Sequence, residues 1–303
     1  MIEAKIICDS INIFGNRLTT YVLKFPRIIL SEMNTHRMIS KNSASSRAIP
    51  FSKMVNMVKE DPFIPMKWMK DHKGMQGEEY LENEDELREE WLKARDNAIE
   101  QAIKLNELGL TKQICNRILE PYLWHTALVT ASEWENFFAL RAEKSAEIHI
   151  QALANKMLEV YNQSRPQLLK PGEWHIPFSS GINLEDDIFS KTSDYESQNN
   201  IKLKICTARC ARISYSNFHG KDDYNMDIKL HDNLVSSGHW SPFEHCARSM
   251  DQYERKNCSS VEYINNNYKK NEGVSGNFRG FIQYRKLFAS ENKSEPRILN
   301  TPL

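Results

Sequence analysis

Apolar and β-branched residues gather first in two short runs, residues 4–14 (Ala-Lys-Ile-Ile-Cys-Asp-Ser-Ile-Asn-Ile-Phe) and 17–26 (Arg-Leu-Thr-Thr-Tyr-Val-Leu-Lys-Phe-Pro). Gly15-Asn16 between them is a turn pair, so the runs predict a β-hairpin that Pro26 closes. Arg27 to Asn34 reads as a short helix. Residues 51–75 are Met-rich, and Pro62, Pro65 and Gly74 break any long element, which predicts irregular chain. From Glu78 to Leu108 the pattern turns helical, with Leu81, Leu87, Trp91, Leu92 and Ile99 against a charged face. Leu110 to Leu119 predicts a further helix ending before Pro121. The clearest helical stripe runs from Glu133 to Tyr161 through Phe137, Phe138, Leu140, Ala146, Ile150, Leu153, Ala154, Met157 and Leu158.

Residues 164–200 change character. Pro166, Pro171, Gly172, Pro177 and Gly181 precede a Ser/Asp/Asn-rich tail, the best linker candidate in the chain. The expected organisation is a first unit at 1–165, a linker-like segment at 166–200 and a second unit at 201–303. Ile201 to Cys206 reads as a β-like run leading to Ala211-Arg212-Ile213-Ser214-Tyr215. A helix from about Tyr224 to Ser236 precedes Gly238-His239-Trp240-Ser241-Pro242-Phe243-Glu244-His245. Residues 251–275 are Asn/Lys-rich and read as a surface loop, and Gly276 to Arg285 closes the ordered chain.

Composition narrows the function classes. Lys+Arg and Asp+Glu both number 40 in 303 residues, so there is no basic excess for general nucleic-acid binding. No apolar run approaches the ~20 residues of a membrane span, and the N-terminus lacks a secretory layout. A cytoplasmic, intracellular protein is expected. The six cysteines are scattered with no C-x-x-C pair, which suits reduced thiols. A zinc site from Cys206, Cys210, His231, His239, His245 and Cys246 fits no standard ligand spacing, so no metal is expected. The phosphate-binding G-x-x-x-x-G-K-[ST] and G-x-G-x-x-G patterns are both missing.

One stretch stands apart. Thr35-His36-Arg37-Met38-Ile39-Ser40-Lys41-Asn42-Ser43-Ala44-Ser45-Ser46-Arg47 holds two arginines, a histidine, an asparagine and four serines without one acidic residue. Arginine forks match phosphate oxygens in two-point geometry, so a phosphate-bearing anion is the natural ligand. The plain alternative is a Ser-rich polar loop following an apolar element. Arg141, beside the Phe137 and Phe138 stripe, reads in isolation as a surface residue whose head snorkels to solvent. No Cys-His or Ser-His-Asp pairing marks an activated nucleophile, so no catalytic side chain is named.

His36, Arg37, Ser40, Asn42, Ser45 and Arg47 fill the pattern H-R-x-x-S-x-N-x-x-S-x-R. Asn136-Phe137-Phe138-Ala139-Leu140-Arg141 fills N-x-x-x-L-R, with Arg117-Ile118-Leu119 and Pro121 upstream. Ala211 to Tyr215, Gly238-His239 and Ser241 to His245 form a third block. With these motifs the chain resembles the flavin-dependent thymidylate synthases over about a third of its length. In that family the third block comes first, so the order here looks permuted. Thr35 stands where the family has the first Arg of R-H-R, Ser43 where it has an acidic residue, and Glu32 where it has Gln.

The resemblance implies an α+β fold, with a mixed or antiparallel sheet packed against long helices. It implies FAD, NADPH and methylenetetrahydrofolate as cofactors and dUMP as substrate, in a homo-oligomer with flavin between subunits. Ser45, Arg47, Arg117 and Arg141 would hold the nucleotide. His36, Arg37, Asn42, Asn136, Ser214, His239, Ser241 and Glu244 carry over as flavin contacts. Gln283 and Arg285 are candidates to restore the nucleotide contacts that Glu32 and Thr35 lack. Other readings are a different one-carbon transfer, such as hydroxymethylation of a pyrimidine nucleotide, and a non-catalytic nucleotide-binding protein. Before the resemblance, Ser241-Pro242 reads equally as a helix start, Glu244 as an N-terminal charge, His239 and His245 as structural histidines, and Arg117 as a partner of Glu120.

Overall fold

The computed structural model describes residues 1–73, 77, 79–190, 194–213, 223–264 and 267–291. Strands β1 (Glu3–Asn12) and β2 (Arg17–Pro26) lead through a 3-10 turn to α1 (Leu30–Asn34) and β3 (Ser40–Ser43). Then come α2 (Phe51–Glu60), α3 (Glu84–Glu107), α4 (Lys112–Ile118), β4 (Trp124–Ala131), α5 (Glu135–Arg141) and α6 (Ile148–Gln163). The middle holds β5 (Gln167–Leu169), β6 (Trp174–His175), α7 (Asp187–Ser190), α8 (Tyr195–Arg212) and α9 (Tyr224–Ser237). Last come β7 (Ala247–Ser249), α10 (Gln252–Asn257), β8 (Ser259–Ile264), β9 (Asn267–Glu272), β10 (Val274–Ser275), β11 (Phe278–Arg279) and β12 (Phe281–Gln283). Among the described residues, no helix is long and apolar enough to cross a membrane.

The main sheet has five strands in the order β3-β4-β2-β1-β5. β5 joins β1 in parallel and the other pairings are antiparallel, so the sheet is mixed and the fold is α+β. β2 is the reason this sheet is central: its residues are buried on both faces. Tyr21, Leu23 and Phe25 point to one side, where they meet Trp134, Phe137, Ile150, Leu153, Ala154 and Met157 from α5, α6 and the turn before them. Burying each such side chain stabilises by about 1.5–3 kcal/mol. Leu18 points the other way, to Leu169, Ala247, Phe278 and Phe281 beside the smaller sheet β12-β7-β6.

Between the sheets runs a chain of buried polar groups. Ser10 Oγ meets His175 Nδ1 at 2.9 Å, His175 Nε2 meets Thr20 Oγ1 at 2.8 Å, Thr20 meets Thr130 at 2.8 Å, and Thr130 meets His245 Nδ1 at 2.8 Å. Burial pushes both imidazoles down to about 3. On the opposite face of the hairpin, Asp9 accepts from Arg17 (3.0 and 2.6 Å), Thr19 (2.8 Å) and Ser164 (2.6 Å). The Arg17 guanidinium also lies 3.6 Å from the centre of the Tyr161 ring, tying the hairpin to the end of α6.

The hairpin forms where Gly15-Asn16 predicts it, and Asn12 Oδ1 accepts from the Phe14 and Asn16 amides within the turn. Other expectations are corrected. Residues 51–60, expected irregular, form α2, because the breaking prolines follow Met54, Val55 and Val58 on one buried face. The single helix expected over 133–161 is two: the Glu147 side chain accepts from the His149 and Ile150 amides and starts α6 afresh. Ile201 to Cys206 is helical rather than extended. It lies inside α8, started by Asp194 accepting from Ser197, with Leu203, Cys206 and Cys210 on its buried side. The described residues of 251–275 are not loop: Asp251 and Glu254 form a capping box for α10, and β8 pairs with β9. Within 166–200, β5 and β6 are seated in the two sheets, and Ile176 and Phe189 are buried.

Candidate functional site

The basic stretch is shaped by what flanks it. α1 ends at Asn34, and residues 40–43 are held as the edge strand β3 against β4, so 35–39 must turn sharply between them. Arg37 and Met38 are exposed at the turn, while His36 is buried under Phe137, their rings 4.9 Å apart and edge to face. Arg141, the last residue of α5, donates from Nε to His36 Nε2 (3.0 Å) and from Nη2 to Thr35 Oγ1 (3.2 Å). An imidazole nitrogen that accepts carries no proton, so His36 is neutral with its hydrogen on Nδ1. Burial, then Arg141 and Lys41, lower its pKa, in keeping with that state.

Lys41 closes the turn from below. Its ammonium donates to the backbone carbonyls of His36 (2.5 Å) and Ile39 (3.1 Å). Burial pulls its pKa down to about 8, opposed by the Glu244 carboxylate. Beside the turn opens a cleft of about 370 Å³, lined by Thr35, His36, Arg37, Asn136, Phe137 and Glu133 among others. Glu133 is held by Arg279 at 2.9 Å.

The last third of the chain covers β3. Asn42 donates to the Cys210 carbonyl (2.7 Å) and accepts from Ser241 Oγ (3.4 Å). A 3-10 helix does start at Ser241, with Pro242 in its first turn as the helix-start reading expects, but the Ser241 hydroxyl makes no cap. Glu244 pairs with Arg285, which also holds Glu291 (2.8 Å). Ser40 Oγ lies within hydrogen-bond reach of Gln283 Nε2 (3.1 Å) and Asn277 Nδ2 (3.4 Å), and Asn277 also donates to the Arg37 carbonyl (3.3 Å). Gly276, at φ +59°, is needed there because a Cβ would overlap the Gln283 amide.

The structure thus gathers His36, Arg37 and Asn136 at the cleft, with Arg141 bonded to two of its lining residues, His36 and Thr35, and Asn42, Ser241, Glu244, Gln283 and Arg285 at the junction behind it. Ser45 and Arg47 follow β3, with Arg47 exposed and its Nε 3.5 Å from Ser45 Oγ. Arg117 is exposed at the end of α4, and Glu120 pairs with Arg27 instead (3.2 Å). Its neighbour Asn116 is buried and donates to the Ser46 (2.7 Å) and Ile49 (2.9 Å) carbonyls, which fixes the loop bearing Ser45 and Arg47. His239 is exposed and meets Ser237. Ser214 lies outside the described residues. His245 is a buried structural histidine. The six cysteines are free thiols, and among the described residues no group of three or more His, Cys, Asp or Glu side chains is placed to hold a metal.

Lys41, Asn116, Glu133, Asn277, Arg279 and Glu291 take part in these contacts without a motif that marks them, as does Thr35 in its role as an acceptor. Lys41 lay in the basic stretch and its spacing to Ser40 and Asn42 was the available signal. Asn116 and Asn277 offered none.

Fold and site together define an α+β protein that carries a basic turn on a sheet edge and faces it with an arginine-ended helix. The chain belongs to the thymidylate synthase complementing protein family, whose model matches residues 16–167. That span runs from the hairpin turn to β5 and takes in the whole basic stretch and α5, in accord with the resemblance read from the motifs. Among solved structures the chain is similar to the UMP/dUMP methylase PolB from Streptomyces cacaoi, bound with 5-Br UMP. The TM-score is 0.44 and the identity 14%, over 54% of this chain and 90% of that one. No curated protein matches the sequence.

Proposed function

We propose that the protein methylates dUMP to dTMP with a bound flavin. The observation that carries this reading is the two-point contact of Arg141 with His36 and Thr35. Where the family's first motif arginine is replaced by Thr35, a guanidinium from α5 arrives at the same turn. The donor set fits the groups such a reaction needs. Arg37 and Asn136 stand exposed at the cleft, where Glu133 is neutralised by Arg279 and Glu135 is the remaining carboxylate, so the Arg37 side suits phosphate oxygens and the carbonyl edge of a uracil or flavin ring. FAD, when bound, supplies redox equivalents for transfer of the one-carbon unit of methylenetetrahydrofolate, with NADPH as reductant.

The chain's own residues would bind and orient. Arg37, Asn136 and the His36 turn would meet the flavin, supported by Asn42, Ser241 and Glu244 through the junction. Arg141 would meet the nucleotide, with Arg47 and Arg117 reaching its phosphate. Arg285 is already shared by Glu244 and Glu291, so its contribution would be to hold Glu244 in place. Exposed Met38, which lines the cleft, and exposed Leu140 on α5 suit a subunit contact, which supports a homo-oligomer. The third motif block lies outside the span that the family model matches, and we read it as the family's opening region in a permuted position.

The test is an absorption spectrum of the purified protein after incubation with FAD and gel filtration, followed by product mass with dUMP, methylenetetrahydrofolate and NADPH. Retained flavin bands and a product one methyl group heavier support the reading. A hydroxymethyl product would replace it with the alternative that Thr35 and Ser43 motivate. Absence of flavin after reconstitution would leave nucleotide binding alone.

A further inference from the structure

The loop that carries Ser45 and Arg47 is tied down at each end. It leaves the sheet after β3 and enters α2 through Pro50, and Ile49 packs with Leu119 and Leu123 among the helices. Inside the loop the Ala48 amide donates to the Ser45 carbonyl (3.0 Å) and the Ile49 amide to the Ser46 carbonyl (3.3 Å). Residues 45–49 are therefore one tight turn.

Asn116, in the last turn of α4, is wholly buried and reaches this turn across 70 positions of sequence. Its Nδ2 donates to the Ser46 carbonyl at 2.7 Å and to the Ile49 carbonyl at 2.9 Å. Carbonyls only accept, so the end of the amide that meets both of them is its NH2 group. The other end, Oδ1, is buried with no hydrogen-bond partner among the described residues, a deficit that is uncommon in folded proteins. Its neighbours on α4, Cys115 and Leu119, are equally buried, and an apolar side chain at 116 would avoid the deficit. What the asparagine gains over an apolar residue is its grip on the turn. No peptide bond here is cis, and in a trans unit C=O and N–H point opposite ways. With the Ser46 carbonyl drawn to Asn116, the Arg47 N–H faces away from α4. Arg117 leaves the same helix end one residue further on.

We propose that Asn116 is a positioning residue for the nucleotide. It touches no ligand itself. By holding the Ser46 and Ile49 carbonyls it sets the direction from which the amide and guanidinium of Arg47 meet the phosphate. The inference rests on the nucleotide reading above and on Arg47 as a phosphate contact. The His36 turn is held separately, by Arg141, Lys41 and Asn277, so its geometry does not depend on Asn116.

The experiment is calorimetric titration of the full chain with dUMP and, separately, with FAD, on the parent, Asn116→Leu and Asp9→Ala, with the melting temperature of each recorded. Asn116→Leu should weaken dUMP about tenfold or more, because a small misplacement of a binding group is costly. FAD affinity should stay within about twofold, as expected for a group held by other contacts. Asp9→Ala loosens the hairpin without touching the loop and controls for lost stability; its dUMP affinity should stay within about twofold of the parent. If Asn116→Leu does not fold, Asn116→Ser, where a water can take the place of the amide, supplies the comparison, with a loss of about threefold or more. The inference is overturned if dUMP affinity is unchanged in the folded variant, if dUMP and FAD weaken together, or if Asp9→Ala loses as much. Where FAD itself does not bind, the Asp9→Ala comparison decides. A parent that binds no dUMP overturns the functional reading and this inference with it, whereas a parent that binds dUMP no better than Asn116→Leu overturns the inference alone.

Discussion

Arg141 donates through Nε to Nε2 of His36 at 3.0 Å, although 105 positions separate them in the chain. The contact fixes three things together: the neutral state of His36, the end of α5, and the direction in which a positive charge is presented at the cleft.

Replacing Arg141 by Lys keeps the charge but cannot reproduce the planar fork that reaches His36 and Thr35 at once. dUMP affinity should fall at least tenfold, with the melting temperature within a few degrees of the parent. Equal affinities in a calorimetric titration would remove Arg141 from the nucleotide's surroundings.

Lys41 gives a pH signature. Its pKa is drawn down to about 8 by burial, so it sheds its charge as pH rises through that value. A nucleotide phosphate is already fully ionised there, and its affinity should drop by roughly three- to tenfold between pH 7 and 9. In Lys41→Met the profile should be flat over that range, measured by the same titration at each pH.

Three buried imidazoles set the acid limit. His125, His175 and His245 are each held at about 3, below the ordinary value of 6.5, by burial first, with Arg27 adding to the effect at His125. The unfolded chain takes up these protons and the folded chain does not. Their contribution is therefore intact above 6.5 and lost as pH falls from there towards 3. Near pH 5 the three together tilt stability by about 4 kcal/mol per pH unit. Urea midpoints should fall steeply below pH 6, and His125→Gln should make the slope shallower. A midpoint constant from pH 7 to 5 would contradict the assignment.

Asp9 anchors the hairpin to α6. Its side chain is 5% exposed and it accepts from Arg17, Thr19 and Ser164. Asp9→Ala leaves a largely buried guanidinium without its partner and should cost about 3–5 kcal/mol in chemical denaturation. Removing both charges, as in Asp9→Leu with Arg17→Met, should cost less than the single change.

Much of this was legible in the sequence where local chemistry decides the outcome. Gly15-Asn16 set the hairpin, and the spacing of His36, Arg37, Asn42 and Arg141 picked out residues that the fold brings to one region. The failures also have local causes. Trp124–Ala131 is buried on both faces, so β4 shows no alternation to mark it as a strand. Ile201, Leu203 and Ile205 alternate like a strand, yet Leu203, Cys206 and Cys210 satisfy a helix equally well, and the Asp194 cap decides between them. The partners of Ser40 and Arg37 were illegible because Asn277 and Gln283 meet them only through tertiary packing.

Those partners arrive late. Ser40 waits for residues 237 and 243 positions further on, and Asn42 for one 199 positions on. At ribosomal speeds that is a delay of roughly ten to fifty seconds. During it β3, an edge strand of the sheet, lacks the side-chain cover of Ser241, Asn277 and Gln283 and is more open to pairing with a neighbouring nascent chain. Lys41 in the middle of that edge opposes such pairing, and slow translation of the last hundred codons would prolong the hazard. Yield of soluble protein is thus tied to the tempo at which the chain's end is made.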